Sequence, residues 1–245
     1  NTAVSQGYVR FAGCCYLLII GLGLYAETQV RGSLVVAGDA VATAAQIGAA
    51  QTFWRSGIVA DLCMQLLDIP IIVLFYLLFK PVNAALNLTA TAFNLMQTAV
   101  LVANKLCLVL PLLLLSGAAY LSAFSPEQLS ALSYTAIQLH NYGFAIGLLF
   151  FALACVIRGY LIIKSQLFPK ILGLMLGLAG VCYLVNTLAL ILAPDFADKL
   201  FPWIMLPVLV GELSLSLWMI VKGANIKELA GANTVSSQYN RKNAV

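Results

Sequence analysis

Six apolar stretches divide the chain, and each is long enough to cross a lipid bilayer. A helix needs about 20 predominantly apolar residues to span the ~30 Å hydrocarbon core. The stretches occupy residues 8–27, 56–79, 92–115, 142–163, 171–193 and 201–221. This pattern predicts an all-α integral membrane bundle of six transmembrane helices.

Two further helical features are predicted beside these spans. Asp39 precedes the Ala-rich stretch 40–54, so it is expected to cap an additional helix on the outer side. We expect this helix to pack against the outer ends of the spans, and a lid over an outward-facing cavity is the alternative. The stretch SPEQ, which begins at Ser125, combines a helix cap, a first-turn proline and a capping-box glutamine. The fourth spanning helix is therefore expected to begin before the membrane.

The composition excludes an ordinary soluble domain. The chain has 245 residues, of which 62% are hydrophobic and only 9% are charged, and its mean hydropathy is +0.97. Soluble domains carry about 25% charged residues. We therefore expect one transmembrane domain over residues 1–223, followed by a polar cytoplasmic tail over residues 224–245. The lipid bilayer is its expected surrounding, and no nucleic-acid partner is predicted.

The positions of Lys and Arg predict the orientation in the membrane, because cytoplasmic loops carry an excess of these residues. With the N-terminus in the cytoplasm, eight of them lie on the inner side: Arg10, Lys80, Lys164, Lys170, Lys222, Lys227, Arg241 and Lys242. Three lie on the outer side: Arg31, Arg55 and Lys199. The bias predicts that both termini are cytoplasmic.

Nothing in the sequence points to catalysis or to a bound cofactor. The six cysteines all fall within apolar spans and form no C-x-x-C pair. His140 is the only histidine, so neither a metal site nor a haem site is expected. The sequence has no nucleophile elbow, P-loop or dinucleotide-binding motif. We predict no catalytic residues, no metal site and no cofactor, and we do not expect an enzyme.

Ionisable side chains within the spans are the candidate functional residues. A charge at the centre of a spanning helix costs at least ~2.5–3.5 kcal/mol, so each one needs a compensating partner. Asp68, Lys105 and Glu212 lie at similar depth in their spans, and we predict that they form one intramembrane polar centre. In this centre Glu212 is expected to contact a polar group on another helix. The supporting polar residues are Asp61, Gln65, Asn94, Gln97 and Asn104.

A few other residues carry separate expectations. Asp39 and His140 are the candidates on the outer side. Arg158 lies about a turn and a half from the cytoplasmic end of its helix, so its side chain is expected to extend to the lipid headgroups. In the fifth span Gly173, Gly177 and Gly180 have small-xxx-small spacing, which predicts a close approach of a neighbouring helix at Gly177.

Three stretches of the chain carry a resemblance to a known family: RGSLVVAGDAVATAAQI, GYLIIKSQLFPKILG and GELSLSLWMIVKG. They are similar to the bacterial six-helix membrane family named domain of unknown function 4386, and the resemblance covers nearly the whole chain. It implies a six-helix fold in the bacterial cytoplasmic membrane, and it implies no activity. Glu212 and Asp39 match charged positions of the family pattern. Lys105 does not, so a role for Lys105 would be particular to this chain.

Two classes of function fit a buried polar centre. The preferred interpretation is a polar clasp that fixes helix register in a structural or accessory membrane subunit. The alternative is a binding or translocation site for a small polar solute or a proton, since intramembrane ionisable residues often mark such paths. A lipid-modifying enzyme is the third class, and the sequence shows no nucleophile–base pair for it. The expected partners are therefore the bilayer and either a partner subunit or a small ligand.

Overall fold

The computed structural model describes residues 4–226, and within that range it is helical, with short connections and no β-strand. In chain order the helices are α1 (Gln6–Leu34), α2 (Ala40–Ala49), α3 (Gln51–Phe79), α4 (Ala84–Asn104), α5 (Leu106–Leu114), α6 (Pro126–Ser165), α7 (Lys170–Leu192), α8 (Pro194–Leu200) and α9 (Met205–Val221). A single 3₁₀ turn, Ala119–Leu121, lies between α5 and α6.

Five helical segments of the described chain are long and apolar enough to cross a membrane. They are α1, α3, α4 together with α5, α6, and α7. The number is six if α8 and α9, which pass the same test together and are bent by 54° at the break between them, are counted as one span. The predicted all-α membrane bundle is confirmed. The segment predicted as its sixth span is part of this bent pair rather than one continuous helix.

Both predicted helix caps are present. The Asp39 carboxylate accepts a hydrogen bond of 2.8 Å from the Ala42 amide, which satisfies one of the free N–H groups at the start of α2. The Ser125 amide donates to Gln128 Oε1 at 2.8 Å, and the Gln128 amide donates back to Ser125 Oγ at 3.2 Å. This reciprocal pair is the capping box predicted for the start of α6.

The Ala-rich helix is shorter than predicted. It ends at Ala49, because the backbone of Ala50 leaves the helical region (φ −123°, ψ 40°), and residues 51–54 form the first turn of α3. Its buried face is apolar, and Ile47 is fully buried in one cluster with Leu108 and Ile137. The expectation that this helix packs against the spans is therefore confirmed.

Two helices have irregular backbone at a cationic residue. Within α1, residues Tyr25–Arg31 form a π-helix, and a last α-helical turn, Gly32–Leu34, follows it. Helices α4 and α5 meet at Lys105, whose amide donates to the Val102 carbonyl at 3.1 Å in the tighter 3₁₀ pattern. Each irregularity sets the direction in which its cation leaves the helix.

The described chain divides into two compact units, which we name after a residue of each. Residues 4–17, 68–97 and 148–226 form the Glu212 unit, and residues 18–67 and 98–147 form the Asp61 unit. The expectation of one domain over residues 1–223 stays a prediction. The predicted tail lies outside the described residues from position 227 onward.

The core of the Asp61 unit is built around Trp54. This side chain is 1% exposed, and its indole N–H donates a hydrogen bond of 2.9 Å to the carbonyl of Leu108. A buried indole N–H needs such an acceptor. The contact joins α3 to α5 next to the Ala-rich helix.

Close helix packing in the Glu212 unit depends on glycines of α7. A methyl group on Gly173 would lie 2.6 Å from the Gly159 carbonyl oxygen, and one on Gly180 would lie 2.6 Å from the Ala152 carbonyl oxygen. A methyl group on Gly177 would meet nothing within 4 Å. The backbone of Gly177 is also approached closely, because a methyl group on Gly159 would lie 2.8 Å from the Gly177 nitrogen. The predicted close approach of a neighbouring helix is thus confirmed. The choice of Gly177 as the position that cannot be enlarged is wrong, because its Cβ direction is open.

The two ends of the described chain are joined within the Glu212 unit. The Gln6 side-chain amide donates to the Ala224 carbonyl, and its Oε1 accepts from the Ala224 amide at 3.2 Å. Next to this pair, Gly223 has a φ of +74°, which a residue with a side chain rarely adopts. The start of α1 and the end of α9 are therefore fixed to each other.

Candidate functional site

The first buried ionic cluster lies in the Asp61 unit. Asp61 is 2% exposed, and its Oδ2 lies 2.8 Å from Arg31 Nη1 and 3.1 Å from Lys105 Nζ. The two cations are themselves buried, with 8% and 3% exposure. Two cations beside one carboxylate leave one positive charge uncompensated, so their burial requires a second anion close by.

That second anion is Glu27. Its Oε2 lies 2.7 Å from Arg31 Nε, and its side chain is 63% exposed. The π-helical segment presents Glu27 and Arg31 on the same side, so the guanidinium reaches both carboxylates. The four residues Glu27, Arg31, Asp61 and Lys105 are thus balanced in formal charge.

A histidine–asparagine pair lies beside Lys105. Asn104 Nδ2 donates to the carbonyl oxygen of His140 at 2.9 Å, and it also lies 2.9 Å from His140 Nδ1. Since this nitrogen is a donor, Nδ1 acts as the acceptor, and the proton of a neutral His140 is on Nε2. Gly143 makes room for the pair, because a methyl group there would lie 2.2 Å from Asn104 Oδ1.

The second buried ionic cluster lies in the Glu212 unit. Glu212 on α9 is 9% exposed, and the hydroxyl of Tyr183 on α7 donates to its Oε1 at 3.0 Å. The Tyr183 ring packs edge-on against Phe151, with 5.6 Å between the ring centroids. The expectation that Glu212 contacts a polar group on another helix is confirmed by this bond.

Asn94 connects the other two charged residues of this cluster. Its Nδ2 donates to Asp68 Oδ2 at 2.9 Å and to Gln97 Oε1 at 2.8 Å, and its Oδ1 accepts from Arg158 Nη1. Asp68 interacts electrostatically with both Arg158 and Glu212. The cluster therefore contains two carboxyl groups and one guanidinium.

Arg158 does not extend to the headgroups, so that expectation is wrong. The residue is 3% exposed, and its guanidinium carbon lies 5.0 Å from the centroid of the Phe75 ring. The physical reason is that Asn94 and the aromatic face hold the side chain inward. Its Nε and Nη2 atoms are buried and have no hydrogen-bond partner in the described part of the chain.

A known protein family matches the part of the chain that contains both clusters. The family described as Domain of unknown function (DUF4386) matches residues 11–223. The chain belongs to this family. No curated protein and no solved structure matches it. The matched range of the DUF4386 family includes every residue of both clusters, so the clusters lie in the family domain itself.

The structure distributes the predicted polar centre of this DUF4386 chain over the two clusters. Lys105 pairs with Asp61, whereas Asp68 and Glu212 lie in the cluster whose cation is Arg158. Among the supporting residues, Asn94 and Gln97 belong to the Glu212 cluster, and Asn104 contacts His140 beside Lys105. Gln65 is buried, and no described residue bonds to its Oε1.

Sequence reasoning missed four participants: Glu27, Arg31, Arg158 and Tyr183. Arg31 was counted as an outer-loop cation, although its i, i+4 spacing from Glu27 was a signal for a pair on one helix. Tyr183 is a tyrosine in the middle of an apolar span, and such a hydroxyl needs a polar partner. For Arg158 the sequence offers no signal that separates a buried side chain from one that reaches the headgroups.

The described residues include no group of three or more His, Cys, Asp or Glu side chains that could hold a metal ion. Their six cysteines are free thiols. The two clusters offer groups for hydrogen bonding, charge compensation and exchange of protons on carboxyl groups.

Proposed function

We propose that this protein is a non-catalytic membrane protein that binds a proton at Glu212 while it binds or moves a small polar solute. The observation that carries the proposal is the charge count of the Glu212 cluster. Asp68 interacts electrostatically with Glu212 and with Arg158, so two carboxyl groups accompany one cation in this cluster. Intramembrane carboxyl groups of this kind are common in proton relays of pumps and transporters.

A physical argument connects the charge count to a proton. An uncompensated carboxylate away from water is costly, and the usual solution is that the group takes up a proton. Two interacting carboxyl groups then release their protons as a pair. Tyr183 keeps Glu212 within the cluster by its 3.0 Å bond, so a protonated Glu212 remains close to Asp68.

A structural or accessory subunit is the second candidate, and the Asp61 cluster favours it. This cluster is balanced in charge, and Asp61 joins α1, α3 and the α4–α5 junction. A clasp of this type fixes how helices are aligned, which is a recognised use of buried polar groups. Under this candidate the partner is another membrane protein, whereas under the first it is a small ligand.

The location is part of the proposal. A bacterial cytoplasmic membrane with both termini in the cytoplasm is supported by eight inner against three outer Lys and Arg residues. A lipid-modifying enzyme has less support, because the sequence offers His140 as the only histidine base, and its Nδ1 faces Asn104.

Infrared difference spectroscopy during a pH titration tests the proton site. The full chain is placed in lipid nanodiscs, and the band of protonated carboxyl groups is followed for the wild type and for Glu212→Gln. We expect a band that titrates in the wild type and is absent in the variant. Glu127→Gln is the matched control, since Glu127 is an exposed acid in the first turn of α6.

The control variant should keep the wild-type band. If Glu212→Gln keeps it as well, Glu212 carries no exchangeable proton and the proposed function fails. Native mass spectrometry of the purified protein then tests the second candidate, for which a co-purifying membrane subunit is the expected result.

A further inference from the structure

One edge of the Arg158 guanidinium is not used by any described residue. Nη1 donates to Asn94 Oδ1, whereas Nε and Nη2 are both buried and without a hydrogen-bond partner among residues 4–226. Arg158 itself is 3% exposed. Buried donors of a cation are normally paired, because leaving them unpaired costs the full desolvation of the group.

The chemistry of this edge selects the kind of partner. Nε–H and Nη2–H lie on the same side of the planar guanidinium and point in nearly parallel directions. This two-donor fork matches the two oxygens of a carboxylate, which it binds through two hydrogen bonds. A phosphate group could also accept both bonds, but its higher charge would lie beside Asp68 and Glu212, which repel it.

The protein holds the fork in a fixed orientation. Asn94, which accepts from Nη1, is itself fixed by bonds to Asp68 (2.9 Å) and Gln97 (2.8 Å). The face of the guanidinium lies 5.0 Å from the Phe75 ring centroid. A donor pair that is already oriented binds its acceptor at a lower cost in conformational entropy.

We propose that the Nε–Nη2 edge of Arg158 is the subsite that binds the carboxylate of a small monocarboxylate solute. The inference rests on the proposed function, because an anion that enters this cluster adds negative charge beside Asp68 and Glu212. Binding is therefore accompanied by proton uptake on these carboxyl groups.

The groups around Glu212 determine how binding depends on pH. Those that interact with it electrostatically are Tyr16 of α1, Asp68 of α3, Cys155 of α6 and Tyr183 of α7, and the cation of the cluster is Arg158. The tyrosines and the cysteine are neutral near pH 7, so the two carboxyl groups are the ones that exchange protons. The affinity for a carboxylate should therefore fall as the pH rises.

Equilibrium binding of radiolabelled acetate to the full chain in lipid nanodiscs tests the subsite. We expect saturable binding that unlabelled acetate displaces and that acetamide, a neutral molecule of similar shape, does not displace. Arg158→Lys keeps the charge but removes the fork, so it should weaken binding by about tenfold or more. Arg10→Lys is the matched control, because Arg10 is exposed on α1, and it should bind acetate as the wild type does.

Two results would overturn the subsite: no saturable binding to the wild type, or equal competition by acetamide and acetate. Both are measured on the wild type and do not depend on the folding of a variant. Equal affinities of Arg158→Lys and the wild type would overturn it as well.

The pH dependence separates this inference from the proposed function. Between about pH 6 and pH 8 acetate stays ionised, and the wild-type affinity should decrease, whereas Glu212→Gln should remove most of that decrease. If acetate binding depends on Arg158 but its pH dependence is the same in Glu212→Gln, the subsite stands and the proton role of Glu212 fails. If Glu212 titrates in the infrared spectrum but acetate does not bind, the proton role stands and the subsite is wrong.

Discussion

Lys105 and Asp61 form a buried ion pair, with 3.1 Å between Nζ and Oδ2, although they are far apart in the sequence. The same carboxylate oxygen contacts Arg31 Nη1 at 2.8 Å. One side chain of α3 therefore compensates a cation of α1 and the cation at the α4–α5 junction. Loss of this carboxylate would leave two buried cations with Glu27 as their nearest described acid.

Asp61→Asn should lower the free energy of unfolding by ~3–5 kcal/mol, because removal of one partner from a buried pair leaves uncompensated charge. Denaturant or thermal unfolding in micelles measures the change. Adding Lys105→Gln to Asp61→Asn should restore part of the loss, since only Arg31 then remains and Glu27 still contacts it. Asp198→Asn, at an exposed position, is the control and should have little effect. If Asp61→Asn lowers the free energy of unfolding as little as Asp198→Asn does, the cluster does not stabilise the fold.

Gly173→Ala and Gly177→Ala should have opposite outcomes, although both replace a glycine of α7. The new methyl group at position 173 would be 2.6 Å from a backbone carbonyl oxygen, so a helix must move, at a cost of ~1–3 kcal/mol. At position 177 the methyl group meets nothing within 4 Å, so stability should stay the same or increase. Melting temperatures of the two purified variants measure the difference. Equal destabilisation would contradict the packing of α7 against α6.

The effect of a Glu212 substitution on stability should depend more on hydrogen bonding than on charge. Glu212→Gln keeps an acceptor for the Tyr183 hydroxyl and should fold as the wild type does. Glu212→Leu leaves that buried donor unpaired and should cost ~1–3 kcal/mol. The double variant Glu212→Leu with Tyr183→Phe removes both partners and should recover part of this loss. The wild type, Glu212→Leu, Tyr183→Phe and the double variant form a thermodynamic cycle, and a coupling free energy of zero from their unfolding would mean that the bond contributes nothing.

Reporter fusions test the orientation in the membrane. Fusions after Lys164 and after residue 223 should report the cytoplasm, and fusions near Glu127 and Asp198 should report the outer side. The reason is the excess of Lys and Arg on the predicted inner side. A cytoplasmic signal near Glu127 would contradict the six-span arrangement.

Features that depend on neighbouring residues could be predicted from the sequence. The positions of the long apolar helices were predictable, because crossing the membrane requires a minimum length of apolar helix. The caps at Asp39 and Ser125 were predictable because each depends on residues within one turn. The bend before α9 was not, since helix α8 reads as part of a loop between two spans.

The pairing of charges could not be predicted in the same way. It depends on how far each helix is rotated about its axis and on its depth, and a one-dimensional pattern constrains neither closely. Lys105 was assigned to Asp68 and Glu212 by depth alone, yet the irregular backbone at Lys105 and at Arg31 brings both cations to Asp61. The prediction for Gly177 is limited in the same way, because the spacing of small residues identifies a helix face but not the direction of each Cβ.

The bond between Gln6 and Ala224 constrains how often the chain crosses the membrane. Since these residues are in contact, the start of α1 and the end of α9 lie at the same side of the bilayer. Each crossing moves the chain to the opposite side, so the number of crossings must be even. The five long apolar segments alone give an odd number, and only the bent pair of α8 and α9 makes it even. We therefore predict that the 54° bend lies within a membrane crossing rather than in a segment that turns back.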